Sequence, residues 1–220
     1  MIQYAAPLAM IFLLAISGVI SMAASDDQTK KTPPAKAKGK EIAVVETNLG
    51  TFEIEFYRDD APKTVENFVQ LAKRKFFDGV KVHRVAKGFV IQAGDPTGTG
   101  SGGTSIYGGE FADELNPATA SYKRGYVRGV VAMANRGPNT QTSQFFVMLA
   151  DAPQMPKNYT IFGMVVKGME VVDKIGAVDI VPAMGPRDGA PRVDVIMKTV
   201  TIRTEPPAEP PAEPPAEPKR

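Results

Sequence analysis

Two spacings of hydrophobic residues recur along the chain, and each predicts a different element. Thr51–Phe56 switches sides at every residue, with Phe52, Ile54 and Phe56 on one face and Thr51, Glu53 and Glu55 on the other. That is the period of a strand with one buried and one wet face. Ile42–Thr47 precedes it across Asn48-Leu49-Gly50, so the pair reads as a hairpin. From Asp60-Ala61-Pro62 the spacing changes. Val65, Phe68, Val69 and Ala72 share the stripe of an amphipathic helix. Pro62 is tolerated in its first turn, where an N–H would have no intrahelical partner. Lys73-Arg74-Lys75 suits the carboxyl end of the dipole, and Asp78-Gly79 is the expected stop.

The strand period then returns. Val82–Val85 and Phe89–Gln92 flank a Lys87-Gly88 turn, and Val130–Leu149 reads as strand, Gly137-Pro138-Asn139 turn, strand. Tyr159–Val166 predicts another strand, Met169–Ile175 a short helix ended by Gly176, and Arg192–Ile202 a long alternating strand. Two helices against many short antiparallel strands suggest a closed or sandwich-like β architecture.

The ends differ in kind. Ala5–Ala24 carries no charge, and small residues follow at Ser21–Ala24, so residues 1–24 read as a signal peptide or an N-terminal membrane anchor. Residues 25–40 form a Lys/Ala/Pro linker with too little apolar surface to fold. Residues 205–220 repeat Glu-Pro-Pro-Ala, a Pro-rich disordered tail for which polyproline II is the expected state. The folded domain is therefore expected over 41–204, and the protein is expected to be exported, periplasmic or otherwise extracytoplasmic, or membrane-anchored through residues 5–24.

Charge narrows the chemistry. With 26 basic and 24 acidic residues, no basic face points to nucleic acid. The absence of cysteine rules out disulfides, thiolate catalysis and cysteine-based zinc sites, and the single histidine rules out a histidine-rich metal site. No metal and no cofactor are expected. Gly98, Gly100 and Gly103 satisfy the spacing of a dinucleotide fingerprint, but Ser105-Ile106-Tyr107-Gly108-Gly109 cannot start the helix that such a site requires.

Three side chains in Val82–Asp95 suit an uncharged polar substrate: Arg84 as a permanent planar donor, Phe89 as an apolar surface and Gln92 as a neutral group able to hold the guanidinium. His83-Arg84-Val85, Phe89, Gln92 and Gly94-Asp95, followed by Met133-Ala134-Asn135, Gly137–Thr140, Ser143–Phe146 and Phe162-Gly163, resemble the cyclophilins, the cyclophilin-type peptidyl-prolyl cis-trans isomerases. Exported prokaryotic members are the expected kin. The resemblance covers roughly Glu41 to Arg203. It implies an eight-stranded antiparallel closed barrel capped by two helices, with the active site on its outer wall.

The resemblance also implies roles. Arg84, Gln92, Phe89 and Asn135 are the expected catalytic set, with Gln92 orienting Arg84 and the Asn135 backbone clamping the peptide. His83, Val90, Gly100, Ala134, Gln144, Phe146, Met155 and Tyr159 are the expected substrate-binding residues. His83 is expected beside the groove in a hydrogen-bonded position, facing away from Arg84 by strand alternation. Proline-containing peptides and unfolded chains are the expected partners of a monomer, with a proline-peptide binding module as the alternative. Gln154 falls where many eukaryotic members carry tryptophan and Tyr159 where they carry histidine, so weak cyclosporin binding is expected. Val90 stands where methionine is common.

The chemistry implied needs no nucleophile. Twisting a peptide bond costs about 18–20 kcal/mol because conjugation is lost. A catalyst need only bind the twisted amide more tightly than the planar one.

Overall fold

Residues 39–206 are described in a computed structural model of the chain. The first hairpin forms as its alternation predicts, from β1 (Lys40–Thr47) and β2 (Gly50–Phe56). Helix α1 (Pro62–Lys73) follows, with Pro62 in its first turn. Ala61 supplies no side-chain cap. Instead Glu114 accepts the Lys63 and Thr64 amides at 3.0 and 2.8 Å, placing a carboxylate at the positive end of the dipole. The helix ends at Lys73, short of the expected Asp78-Gly79, and the chain reverses with Lys75 in the left-handed region at φ 58°.

Strands β3 (Arg84–Ala86) and β4 (Val90–Ala93) pair around the Lys87-Gly88 turn, and β5 (Val130–Met133) and β6 (Phe145–Met148) form the second motif. Between these pairs lies a short helix, α2 (Ala120–Arg124), that the hydrophobic pattern did not announce. Strand β7 (Ile161–Lys167) and helix α3 (Met169–Ala177) come next. A second unannounced feature follows, the hairpin β8 (Ile180–Pro182) and β9 (Asp188–Pro191). Strand β10 (Met197–Glu205) is last. It starts five residues later than Arg192, because Arg192 and Ile196 donate their amides to the Asp179 carbonyl and the Asn48 side chain instead of a neighbouring strand.

The expected eight-stranded closed barrel with two helices is corrected on each count. Among the described residues there are three helices and one sheet of ten strands, ordered β10-β1-β2-β7-β5-β6-β4-β3-β9-β8. All its ladders are antiparallel. The sheet is open, and β3 shows why: its second edge pairs with β9, through Val85↔Gly189 and Ala86↔Asp188, and not with the last strand. The last strand meets only the segment that leads into β3, by an isolated bridge Lys81↔Ile196, the Val82 N–H donating to the Val195 carbonyl at 2.9 Å, and Met197 bonding to Gly79 and Val80 at 2.7 and 2.9 Å.

Strand parity sorts the core into two clusters. Val85, Ile91, Ala93, Val131, Met133, Phe145 and Val147 face inward with Phe68, Phe77 and Phe162. Their alternates, Ala86, Val90, Val130, Ala132, Phe146 and Met148, form a second cluster on the outer face with Tyr126 and Ile161. Because both faces of β5 and β6 are apolar, these strands read as continuous hydrophobic runs. The outer cluster is the floor on which the site is built.

Among the described residues no helix is long and apolar enough to cross a membrane. The expected signal peptide or anchor, most of the linker and most of the Pro-rich tail lie outside them, at 1–38 and 207–220.

Candidate active site

Arg84 leaves β3 on the outer face, directly opposite Gln92 of β4. Its Nη1 donates to Gln92 Oε1 at 3.0 Å. Gln92 Nε2 donates onward to Gln144 Oε1 at 2.9 Å, and Gln144 Nε2 donates to the carbonyls of Gly100 and Gly102 at 2.9 and 2.8 Å. A hydrogen-bonded row thus runs from the guanidinium to the glycine-rich loop. That loop is itself organised by Asp95, a fully buried carboxylate that accepts the amides of Thr97, Thr99, Gly100 and Gly102. Burial alone would raise its pKa, but the Thr97 hydroxyl and these amides hold it down at about 2.

A groove of about 720 Å³ opens over the row. Eleven of the twelve expected site residues line it: His83, Arg84, Phe89, Val90, Gln92, Gly100, Ala134, Asn135, Phe146, Met155 and Tyr159. Gln144 lines an adjoining recess of about 70 Å³ together with Gln92, Gly100, Ala134 and Asn135. The apolar end is made by Phe89, 37 % exposed at the β3–β4 turn, and by Phe146, which meets Tyr159 edge to face at 5.5 Å. Tyr159 is fixed through its backbone: its amide donates to the Tyr126 hydroxyl, which donates to its carbonyl, both at 2.9 Å. The Asn135 side chain donates to the Asn158 carbonyl at 2.8 Å. Among the described residues nothing engages the Asn135 backbone N–H or carbonyl, which leaves both free to pair with an extended peptide.

His83 lines the groove, as expected of a substrate-binding residue, but its setting differs from expectation in its facing and in its hydrogen bonding. It lines the same groove as Arg84, because the ladder begins only at Arg84 and the loop closes over the ring, with Gly100 against His83 Cδ2. Neither ring nitrogen has a hydrogen-bond partner among the described residues. Burial pushes its pKa down, which disfavours the charged ring.

Sequence reasoning missed the far wall. Ala183, Met184, Gly189 and Ala190 of the β8–β9 hairpin line the groove, and Asp188 grips Arg84. Its Oδ1 and Oδ2 accept from Nε and Nη2 at 2.9 and 2.6 Å, and these hydrogen bonds push the guanidinium pKa still higher. Gly189 is required there, because its backbone lies so close to β8 that an added Cβ would run into the Val181 carbonyl oxygen, but a lone glycine does not announce a strand.

An antiparallel sheet carrying a fixed cationic donor beside the apolar end of an open groove suits recognition of a neutral amide. The chain belongs to the cyclophilin-type peptidyl-prolyl cis-trans isomerases. The profile described as "Cyclophilin type peptidyl-prolyl cis-trans isomerase/CLD" matches residues 42–202. Peptidyl-prolyl cis-trans isomerase-like 1 of Rhizopus delemar is 50% identical over 139 residues, 63% of this chain and 82% of that protein. A crystal structure of a cyclophilin-type isomerase from Cryptosporidium parvum superposes with TM-score 0.68 at 34% identity, covering 76% of this chain and 99% of that one. The same protein was also solved in the presence of the dipeptide Ala-Pro, with TM-score 0.67 to this chain. Both relatives are eukaryotic, so the expected kinship with exported prokaryotic members has no support from them.

Proposed function

We propose that the groove takes proline-containing segments of unfolded or flexible chains, seats the proline ring on Phe89, Val90, Phe146 and Met155, and holds the preceding residues along the Ala134-Asn135 backbone. Arg84 then donates to the prolyl nitrogen as it becomes pyramidal and regains its lone pair, and to the prolyl carbonyl. Gln92 and Gln144 orient it. The supporting observation is the convergence of the Arg84 guanidinium, on a hydrogen-bonded row, with an apolar pocket in one groove. The guanidinium stays protonated at any working pH, so it stabilises the twisted amide without giving up a proton. His83 has no role as a base, because rotation about the bond moves none. A pH profile of kcat/KM that is flat through the histidine range supports this, and a sigmoidal step there overturns it.

The finer features are part of the same reading. The uncharged run from Ala5 to Ala24 supports export or anchoring. Amino-terminal sequencing and fractionation of the expressed protein test it: full-length protein in the cytosol sinks it. Exposed Gln154, at the position of the family's tryptophan, supports weak cyclosporin binding, and a submicromolar inhibition constant would overturn that. A monomer is proposed, with sedimentation equilibrium as the check.

The deciding experiment compares the chain with Arg84→Ala on a short Ala-Pro peptide. Fast exchange by the parent and loss of about 10²–10³ in kcat by the variant, the scale for one transition-state donor, are expected. Equal exchange by both would remove Arg84 from the mechanism.

A further inference from the structure

The part of the site that the family motifs do not describe is the carboxylate on the far side of Arg84. Asp188 lies on β9 opposite Ala86, two residues along β3 from Arg84 and on the same outer face, so the two are diagonal neighbours of one antiparallel pair. A long side chain reaches across such a diagonal. Asp188 is itself held rigidly. Its amide donates to the Gly185 carbonyl at 3.2 Å, and its carbonyl accepts from Ala183 and Met184 at 2.9 and 3.1 Å. The side chains of Arg84 and Asp188 are only 25% and 20% exposed, so the pair is shielded from the screening that makes surface ion pairs weak.

We infer that Asp188 is a positioning residue for the isomerisation: it grips the Nε edge of Arg84 and leaves the donors on the opposite edge for the twisted amide. A guanidinium has five N–H donors in one plane. Asp188 takes one from Nε and one from Nη2, and Gln92 takes one from Nη1. One N–H on each terminal nitrogen is left, as many as the prolyl nitrogen and prolyl carbonyl need. Gln92 alone, with a single neutral hydrogen bond, leaves the guanidinium plane free to swing about that bond. The bidentate carboxylate fixes the plane. The hairpin that opens the sheet therefore also completes the catalytic arginine's setting.

The inference rests on Arg84 being the transition-state donor, and the test separates the two. The full chain is compared with Asp188→Asn, Asp188→Glu, Arg84→Ala and the Arg84→Ala, Asp188→Asn double variant, with kcat and KM resolved by exchange NMR on a short Ala-Pro peptide. Asparagine keeps the hairpin's backbone bonds and turns one acceptor into a donor facing the guanidinium. The expected result is a fall of about tenfold in kcat with KM nearly unchanged, the scale of a misplaced catalytic group. Glutamate, which keeps the carboxylate, should recover part of it. In the double variant the asparagine should cost nothing further, since a residue acting through Arg84 has nothing left to position. If Asp188→Asn leaves kcat within twofold or raises it, or if its cost is the same in the Arg84→Ala background, the inference falls. If Arg84→Ala alone retains full activity, the reading of the donor has failed and the assignment to Asp188 falls with it.

Discussion

Arg84 stands between two strands that could hardly differ more in how they are written. On one side β4 brings Gln92, eight residues away along the chain, across a three-residue turn. On the other side β9 brings Asp188, 104 residues away, on a four-residue strand that contains both a glycine and a proline. The first wall is made of β-branched and aromatic residues that announce a strand. The second is Asp188-Gly189-Ala190-Pro191, a composition that announces a turn. Both walls hold the same guanidinium, and the less legible one holds it with the stronger, charge-assisted contact. A strand's role in a site is set by what its register places beside the reacting group, whatever its propensity.

The largest effect that tests this comparison comes from the residue both walls share. Arg84→Lys keeps the charge but loses the planar fork, so it cannot satisfy Gln92, Asp188 and the substrate together. Its activity on a short Ala-Pro peptide should therefore lie close to that of Arg84→Ala, about 10² or more below the parent. Near-parental turnover by the lysine variant would mean that charge alone suffices and that neither wall matters for geometry.

The near wall has a buried foundation in Asp95, and its loss should register as stability. Asp95→Asn leaves a single acceptor oxygen where two now receive four backbone amides. At about 1.5–3 kcal/mol for a hydrogen bond to a charged group, a loss of roughly 2–3 kcal/mol in urea unfolding is expected. The pH dependence follows from the sign of the shift. The folded pKa of about 2 lies below the ordinary carboxylate value of 3.8, so the stabilisation is complete above that value and is lost as pH falls through about 2. Unfolding midpoints of the parent should drop between about pH 5 and pH 2, and part of that slope should vanish in Asp95→Asn. An unchanged slope would mean that the loop is not held by this carboxylate.

How much could be read beforehand follows from the same contrast. The first hairpin, α1, both motif hairpins and α3 have sustained periodicity, and eleven of the twelve expected site residues line one groove because they sit on or beside those elements. What was not legible is short or irregular. Helix α2 has five residues and buries only Ser121, too little for a hydrophobic stripe. Hairpin β8–β9 is no shorter than β3–β4, but Pro182, Asp188, Gly189 and Pro191 stand where a strand would carry β-branched or aromatic residues. Its presence displaces β10 from the edge of β3, so the error about a closed eight-stranded barrel and the omission of Asp188 have one physical origin. The direction expected of the His83 side chain differed for another reason: alternation was extended one residue beyond the ladder that enforces it.

A smaller effect distinguishes orienting from lining. Gln92→Ala cuts the row between Arg84 and Gln144 and leaves the groove's apolar end intact. A fall of about tenfold in kcat, with KM little changed, is expected from a loosened donor. A rise in KM at constant kcat would instead make Gln92 a uniform binding contact.

The smallest effect belongs to the far wall's exposed lip. Met184 lines the groove yet is 70% exposed, so it has little buried area to lose. Met184→Ala should change stability by less than about 0.5 kcal/mol, as for other surface positions. Any effect should appear in KM for peptides with bulky apolar residues flanking the proline, about twofold at most, because partial burial of one thioether against such a residue is worth a fraction of a kcal/mol. kcat should not move, since the Met184 side chain makes no hydrogen bond to Arg84 or Asp188 among the described residues, and its one tie to Asp188 runs through the backbone amide, which alanine keeps. A fall in kcat for Met184→Ala would mean that the lip and the Asp188 clamp move as one body, and that the far wall contributes to turnover through its packing as well as through its carboxylate.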